Sequence, residues 1–228
     1  MKIEIFPDAD ATAKAGALLI AEEALNAVAE RGIFLLAVSG GKNPWAMLKI
    51  LASEELPWAQ IHIFQIDERI APEGDSDRNL THLLESLKAA PIPPENIHPM
   101  PVNALDPLDG AQAYEKSLIG LCGTPPVLDL AHLGLGPDGH TASLVPDDPV
   151  LGVDDRDVAL TGIYQNRRRM TLTYPMINRS RKIFWLATGA EKAPMIGLLK
   201  AADPSIPAGK INQANAILLA DEAAVAGL

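Results

Sequence analysis

The chain has 228 residues, 48% of them hydrophobic and 21% charged, which is enough to bury the core of one large domain. Its 29 acidic and 19 basic residues give a formal net charge of −10, which argues against non-specific binding to nucleic acid or to an anionic membrane. No apolar run reaches the roughly 20 residues that span a bilayer, and the first residues do not form a signal peptide. The single cysteine, Cys122, cannot form an internal disulfide. We therefore expect a cytoplasmic protein that contacts neither membrane nor nucleic acid.

Short apolar runs alternate with helical patterns along the whole chain. Strands are expected at 3–6, 33–38, 61–66, 127–133, 158–163, 169–174, 182–188 and 217–220. Helices are expected at about 10–31, 44–51, 80–87 and 109–120, with a short one after 192. The alternation predicts a doubly wound, mainly parallel α/β sheet with helices on both faces (Rossmann-like), in a single domain over residues 1–228. The strands at 158–163 and 169–174 are expected to add to this sheet in antiparallel orientation.

The first candidate site is the turn Ser39-Gly40-Gly41-Lys42-Asn43-Pro44, directly after the strand at 33–38. Asn43 is the expected N-cap of the next helix and Pro44 its first residue. Backbone N–H groups of such a turn point outward at the positive end of a helix dipole, where a phosphate can bind. The turn matches neither the nucleotide P-loop nor G-x-G-x-x-G. On these residues alone, a phosphate site and a plain strand-to-helix turn are equally compatible with the pattern.

Charged residues also follow the next strand, as Asp67-Glu68-Arg69. A solvated loop would explain them, but their place at the same sheet edge as Ser39 favours a shared cleft. Asp75–Asn79 is expected to cap the following helix, and a proline-rich connector comes after that helix.

The stretch Gly134–Ser143 combines an apolar strand end with three glycines, a carboxylate and an imidazole. His140 is the only one of five histidines in a glycine-rich loop after a strand, and an imidazole there is suited to general acid–base catalysis. Asp138 can orient that ring, act as a turn residue, or do both. Ser143 is disfavoured as a nucleophile because the chain has no G-x-S-x-G elbow. Asp138 and His140 lack a third ligand at a recognisable spacing, so we predict no metal.

Two further basic segments lie at strand ends. Arg167, Arg168 and Arg169 form a run that a solvated strand edge would explain, and Gly189-Ala190-Glu191-Lys192 again places a glycine and a cation after a strand. The predicted topology brings the loops of Ser39, Arg69, His140 and Lys192 to one edge of the sheet.

These motifs, in this order, resemble the glucosamine-6-phosphate isomerase/6-phosphogluconolactonase family over nearly the whole chain. The matching segments are Ser39–Pro44, Asp67–Arg69 with Ser76–Asn79, Gly134–Leu144, Arg169–Thr173 and Gly189–Lys192. The third of them is highly specific. The chain departs from the family pattern where Lys42 or Asn43 replaces a usual Ser or Thr, and at Pro207–Asn212, which keeps only a faint likeness to a Pro-Ala-Ser segment.

The resemblance implies hydrolysis of a phosphorylated sugar lactone, 6-phospho-D-glucono-1,5-lactone, in the pentose phosphate pathway. It implies His140 as the general base, and phosphate binding by the Ser39–Gly41 turn with Arg69 and Lys192. We accordingly expect catalysis by His140 and Asp138 without a cofactor. The expected substrate-binding residues are Ser39, Gly40, Gly41, Lys42, Asp67, Arg69, Arg169 and Lys192.

The residues disfavour two alternative functions. A sugar-phosphate deaminase or isomerase moves protons with carboxylates, and related deaminases carry Asn-Glu-Pro shortly after their Gly-His. The equivalent stretch, Ser143–Pro146, has no glutamate, which favours the lactonase. A non-catalytic sugar-phosphate sensor would need a DNA-binding appendage, for which this acidic chain has no basic face. The sequence does not define the oligomeric state.

Overall fold

The computed structural model describes residues 1–226, which are built around one central sheet. Its strands and those of a second, smaller sheet are β1 (Lys2–Phe6), β2 (Phe34–Val38), β3 (Ile61–Gln65), β4 (Asp67–Arg69), β5 (Ile97–His98), β6 (Leu130–Gly134), β7 (Val158–Leu160), β8 (Arg169–Leu172), β9 (Lys182–Ala187) and β10 (Ala216–Asp221). The helices are α1 (Ala9–Arg31), α2 (Lys42–Leu51), α3 (Asn79–Leu87), α4 (Pro107–Cys122), α5 (Tyr174–Asn178) and α6 (Ala193–Lys200). None of the described helices has the length and apolar character needed to cross a membrane.

The central sheet has seven strands in the order β1-β10-β9-β6-β2-β3-β5, and all of its neighbours pair in parallel. From β2 the chain moves outward to β3 and β5, whereas from β6 it moves the other way to β9 and β10. The strand order therefore reverses between β2 and β6. In open parallel sheets this is the position where ligands bind, at the carboxyl ends of the two strands. The predicted doubly wound fold is confirmed.

Both faces of the sheet are covered, which explains the continuous apolar run of β2. Phe34 and Leu36 pack on the side of α1, α2 and α3, while Leu35 and Ala37 pack on the side of α4 and α6. All five residues of β2 are buried. A strand covered on both faces needs apolar side chains at every position rather than at alternate ones.

The pairing of β7 and β8 is antiparallel, as expected, but the prediction that they extend the central sheet is wrong. Together with β4 they form a separate three-stranded sheet in the order β4-β8-β7. Ile66 is the point of divergence: its N–H donates to the Val38 carbonyl of the central sheet at 3.0 Å, and its own carbonyl accepts from Leu172 N of the small sheet at 2.8 Å. The chain thus leaves one sheet and enters the other within one residue.

Helix starts also differ from the sequence expectation. Gly41 is the N-cap of α2, two residues earlier than the expected Asn43, whose side-chain amide instead donates to the Thr188 hydroxyl. The N-terminal N–H groups of α3 at Asn79 and Leu80 are capped from outside the helix by the carboxylate of Glu68, at 2.8 Å each. An acceptor contributed by a distant strand leaves no local signature in the sequence.

The sheet encloses a fully buried histidine, His132, in β6. Burial lowers its pKa to about 3, below the value of about 6.5 expected in the unfolded chain. The unfolded state therefore binds the proton first, and stability present above pH 6.5 is lost as the pH falls towards 3. At pH 5 this loss amounts to about 2 kcal/mol, from 1.5 pH units at about 1.4 kcal/mol each.

We predict that His132→Gln makes the free energy of unfolding less dependent on pH. Denaturant titrations at about pH 7.5 and pH 5 should show a smaller decrease than in the wild type, by about 2 kcal/mol. The exposed His82 offers the matched control, because His82→Gln should keep the wild-type pH dependence. If the free energy of unfolding of His132→Gln depended on pH as strongly as that of the wild type, the fold would not hold His132 neutral.

Candidate active site

Two adjoining cavities open at the carboxyl ends of β2 and β6. The inner cavity has a volume of about 190 Å³, and its polar and charged lining includes Ser39, Asp67, Arg69, His140, Arg169 and Lys192. The outer cavity, of about 410 Å³, shares Arg69, Asn79 and Arg169 with the inner one. Motifs from five separate segments of the sequence therefore meet at the strand-order reversal, as the predicted topology requires.

His140 and Asp138 form a hydrogen-bonded pair. The Nδ1 atom of His140 lies 2.5 Å from Oδ1 of Asp138, which also accepts the backbone N–H of His140 at 3.1 Å. Partial burial raises the pKa of the Asp138 carboxyl, but the charge and hydrogen bonds of His140 outweigh it, and the net pKa is lowered. Asp138 is thus ionised at neutral pH. With Nδ1 engaged, Nε2 of His140 has no hydrogen-bond partner in the part of the chain that the structure describes.

The glycines around His140 are required by close contacts. A Cβ atom on Gly136 would lie 2.1 Å from Nδ1 of His140, so only glycine leaves room for the ring. Gly139 has a φ of 78°, in the left-handed region, and a Cβ there would lie 2.5 Å from Cβ of Ile206. The carbonyl of Gly139 also accepts the N–H of Ala208 at 3.0 Å. The segment around Ala208, whose sequence matched the family weakly, therefore packs against the His140 loop.

Asp67 lies at the base of the inner cavity and is bound on both oxygens. Its Oδ2 accepts from the Ser143 hydroxyl at 2.6 Å, and its Oδ1 accepts from the Asn79 amide at 3.3 Å. Ser143 is fully buried and uses its proton in this bond, in keeping with the expectation that it is not a nucleophile. Glu68 points away to cap α3, and is paired with Arg78. The three charged residues after β3 thus have three different surroundings.

Three cations line the inner cavity without a carboxylate partner. Arg69, Arg169 and Lys192 form no ion pair with any carboxylate of residues 1–226. Arg169 is only 4% exposed, and its Nε has no hydrogen-bond partner among those residues. Burial lowers the pKa of this guanidinium, although it stays charged at neutral pH. The charge of Asp67 acts on Arg169, but no carboxylate of the described residues contacts the guanidinium directly, and a buried cation in this state indicates a site for an anionic ligand.

The Ser39–Gly41 turn forms a polar part of the lining of both cavities. Ser39 and Gly40 line the inner cavity, and Gly41 lines the outer one. The hydroxyl of Ser39 is buried without a partner among the described residues. A Cβ on Gly40 would lie 2.0 Å from Oδ1 of Asn79, so glycine is required there for Asn79 to reach Arg69. Lys42 is exposed and lines neither cavity, so the structure does not group it with the other predicted residues.

The three arginines of the run Arg167–Arg169 lie in different surroundings. Arg167 is paired with Asp75 at 3.3 Å and Asp77 at 3.0 Å, and the exposed Arg168 donates to the Thr161 carbonyl. Only Arg169 reaches the inner cavity. Within the described residues no three metal-ligating side chains cluster, and the expectation of a metal-free enzyme stays a prediction.

Sequence reasoning missed Tyr164. Its hydroxyl donates to Oδ2 of Asp138 at 3.0 Å, and its ring meets that of His140 edge-on at a centroid distance of 5.4 Å. Tyr164 lies in the turn between β7 and β8 and belongs to none of the motifs. Its contact with Asp138 and His140 is visible only in the structure, where the turn packs against the site.

Comparison with known proteins agrees with this geometry. The family described as glucosamine-6-phosphate isomerases/6-phosphogluconolactonase has a model that matches residues 7–219. The chain belongs to this family. Among similar proteins in the family, a 6-phosphogluconolactonase of Synechocystis sp. is 43% identical over 185 residues, covering 78% of this chain and 77% of that protein. A 6-phosphogluconolactonase of Mycobacterium tuberculosis is 37% identical and covers 99% of this chain and 98% of its own.

A solved structure in the family shows the same architecture. The 6-phosphogluconolactonase from Thermotoga maritima superposes with a TM-score of 0.86 at 26% identity, over 96% of this chain and 98% of that one. The seven-stranded parallel sheet with helices on both faces is therefore the fold of this family. Because the family's description covers two chemistries, the activity of this chain depends on its own site residues.

Proposed function

We propose that the protein hydrolyses 6-phospho-D-glucono-1,5-lactone to 6-phosphogluconate. One observation carries the proposal: the carboxylate-bound His140 lines the same 190 Å³ cavity as three cations, and within residues 1–226 neither its Nε2 nor these cations have a carboxylate partner. This combination fits a molecule that has both a hydrolysable carbonyl and a phosphate. The relatives named above, which are called 6-phosphogluconolactonases, support the same conclusion.

The reaction follows from the hydrogen bonds of His140. Asp138 accepts a hydrogen bond from the Nδ1–H of His140, so the lone pair of Nε2 takes a proton from water as that water attacks the lactone carbonyl. The carbonyl π electrons move to oxygen and form a tetrahedral oxyanion, which glycine-loop N–H groups or a cavity cation stabilise. Collapse of this intermediate re-forms the C=O bond and breaks the bond to the ring oxygen. The imidazolium of His140 returns the proton to that oxygen, giving the open-chain acid.

Binding of the phosphate is assigned to the cationic wall of the cavity. Among the described residues that line the cavity, Arg69, Arg169 and Lys192 outnumber one carboxylate, Asp67, so the cavity is electropositive in a protein of net charge −10. The buried Ser39 hydroxyl adds a hydrogen-bond donor, as do the first N–H groups of α2, which no side chain in the described part of the chain caps. An acidic surface with a local positive cavity selects small anions without attracting nucleic acid.

Substrate comparison tests the proposal. Proton release should be measured with 6-phosphogluconolactone and with unphosphorylated glucono-1,5-lactone, and ammonia release with glucosamine 6-phosphate. We expect the phosphorylated lactone to be preferred over the unphosphorylated one by about 10²-fold or more in kcat/KM, because charge-assisted bonds to phosphate are lost. Glucosamine 6-phosphate should release no ammonia. Ammonia release without lactone hydrolysis would overturn the proposal in favour of a deaminase.

Lys192→Ala is expected to raise KM by about 10-fold while kcat changes by less than about 3-fold, because its ammonium binds the phosphate rather than the reacting carbonyl. Steady-state kinetics with the phosphorylated lactone give both constants. Lys49→Ala, at an exposed position of α2, is the matched loss of a positive charge and should leave both unchanged. A large fall in kcat with unchanged KM in Lys192→Ala would instead place this ammonium at the reacting centre.

A further inference from the structure

The turn between β7 and β8 extends to the active site as a tight hairpin. Tyr164 and Arg167 bond to each other across it, with N–H to carbonyl distances of 3.0 and 3.2 Å. Gln165 and Asn166 at its tip have φ values of 49° and 64°, in the left-handed region. The ion pairs of Arg167 with Asp75 and Asp77 fasten the hairpin to the loop before α3.

Tyr164 contacts both halves of the site from this hairpin. Its hydroxyl donates to Oδ2 of Asp138 at 3.0 Å and lies 3.4 Å from Nδ1 of His140. On its other side, the guanidinium carbon of Arg169 lies 4.9 Å from the centroid of the tyrosine ring, a cation–π distance. One side chain thus contacts both the hydrogen-bonded pair of His140 and Asp138 and the arginine expected to bind the anion.

The two oxygens of Asp138 have divided roles. Oδ1 is used by the ring and the backbone of His140, whereas the Tyr164 hydroxyl is the hydrogen-bond donor to Oδ2. Burial and the neighbouring carboxylate raise the pKa of the Tyr164 phenol, so it keeps its proton and donates throughout the neutral range. Without this donor, Oδ2 of Asp138 would lose a hydrogen bond, and among the described residues the carboxylate would be held through Oδ1 alone.

We propose that Tyr164 is a positioning residue that aligns the base and the anion site together. Its hydroxyl holds Asp138 so that His140 keeps its proton on Nδ1 and leaves Nε2 free, and its ring supports the guanidinium of Arg169. The inference rests on the proposed lactonase function for its kinetic consequences, but the tautomer of His140 is a property of the free protein. Hydroxyl and ring therefore have separable effects.

Two substitutions separate these effects in steady-state kinetics with the phosphorylated lactone. Tyr164→Phe removes only the hydroxyl and should lower kcat by about 10-fold to 100-fold with KM within about 2-fold, because a hydrogen bond to a charged group is lost. Tyr164→Leu also removes the aromatic face and should raise KM in addition. Ile163→Ala, at an adjacent hairpin position that is 77% exposed, is the control for general disturbance of the hairpin and should match the wild type.

The readout independent of activity is the ¹⁵N spectrum of histidine-labelled protein at about pH 8, where a free imidazole is neutral. Shifts of the two ring nitrogens, assigned by the loss of signals in His140→Ala, report which one carries the proton. We expect one tautomer in the wild type and in Ile163→Ala, and a mixture in Tyr164→Phe. An unchanged tautomer in Tyr164→Phe, or an equal loss of kcat in Ile163→Ala, would overturn the proposal. A tautomer change in a protein without lactonase activity would support Tyr164 while refuting the proposed function.

Discussion

Replacing His140 with alanine is expected to lower kcat by about 10²-fold to 10⁴-fold, with KM changed by less than about 3-fold. In the proposed mechanism the imidazole takes a proton from water, whereas the charge assigned to phosphate binding comes from other segments. A large change in kcat with a small change in KM is the pattern expected of a general base. Initial rates of proton release over a range of lactone concentrations measure both constants.

Added imidazole provides a second test of the same role. In His140→Ala the space of the ring is empty next to Asp138, so free imidazole can enter and accept the proton there. Part of the lost rate should return with increasing imidazole, and the wild type should show no such gain. Near-wild-type kcat in His140→Ala would remove His140 from the mechanism.

A single methyl group on Gly136 is expected to reduce kcat almost as much as the loss of His140. The added Cβ would lie 2.1 Å from Nδ1 and 2.7 Å from Cγ of His140, far inside van der Waals contact, so the ring must leave Asp138. We expect Gly136→Ala to lower kcat by about 10²-fold or more, since the base is displaced although it is still present. The backbone N–H of Gly136 already donates to the His140 carbonyl at 2.8 Å, so the main expected effect of the added methyl group is displacement of the His140 ring.

The matched control lies two residues earlier, at the end of β6. Gly134 also lines the inner cavity, but a Cβ there would meet nothing within 4 Å, so Gly134→Ala introduces the same methyl group without the collision. Its kcat should stay within about 3-fold of the wild type, and thermal melting should show both variants folded. Equal kinetics for the two variants would mean that the ring of His140 is not held in its observed position during catalysis.

Features with a local cause were predictable from the sequence. The strand β2 is apolar at every position because both of its faces are covered, and that pattern is readable without a structure. Asp8 accepts the N–H of Ala11 and Gly32 ends α1 at a φ of 77°, both in agreement with helix-capping chemistry. The loop of His140 could be singled out because glycines, a carboxylate and an imidazole directly follow a strand.

Features created by contacts between distant segments were not predictable. The small sheet depends on the divergence at Ile66, where one residue bonds to two sheets, and no residue pattern marks it. Glu68 looked like part of a charged cluster, yet it caps a helix that starts eleven residues later. Tyr164 reaches Asp138 across 26 positions, from an exposed hairpin without any recognisable motif. Such contacts depend on tertiary packing, which local patterns do not encode.

The most direct test of the central claim is the rate at which the intact protein opens freshly generated 6-phosphogluconolactone. This lactone also opens spontaneously, so proton release must be compared with the same solution lacking protein. We predict a saturable acceleration that is proportional to protein concentration and that disappears in His140→Ala. A rate equal to the spontaneous one, in a correctly folded protein, would contradict both the proposed activity and the role of His140.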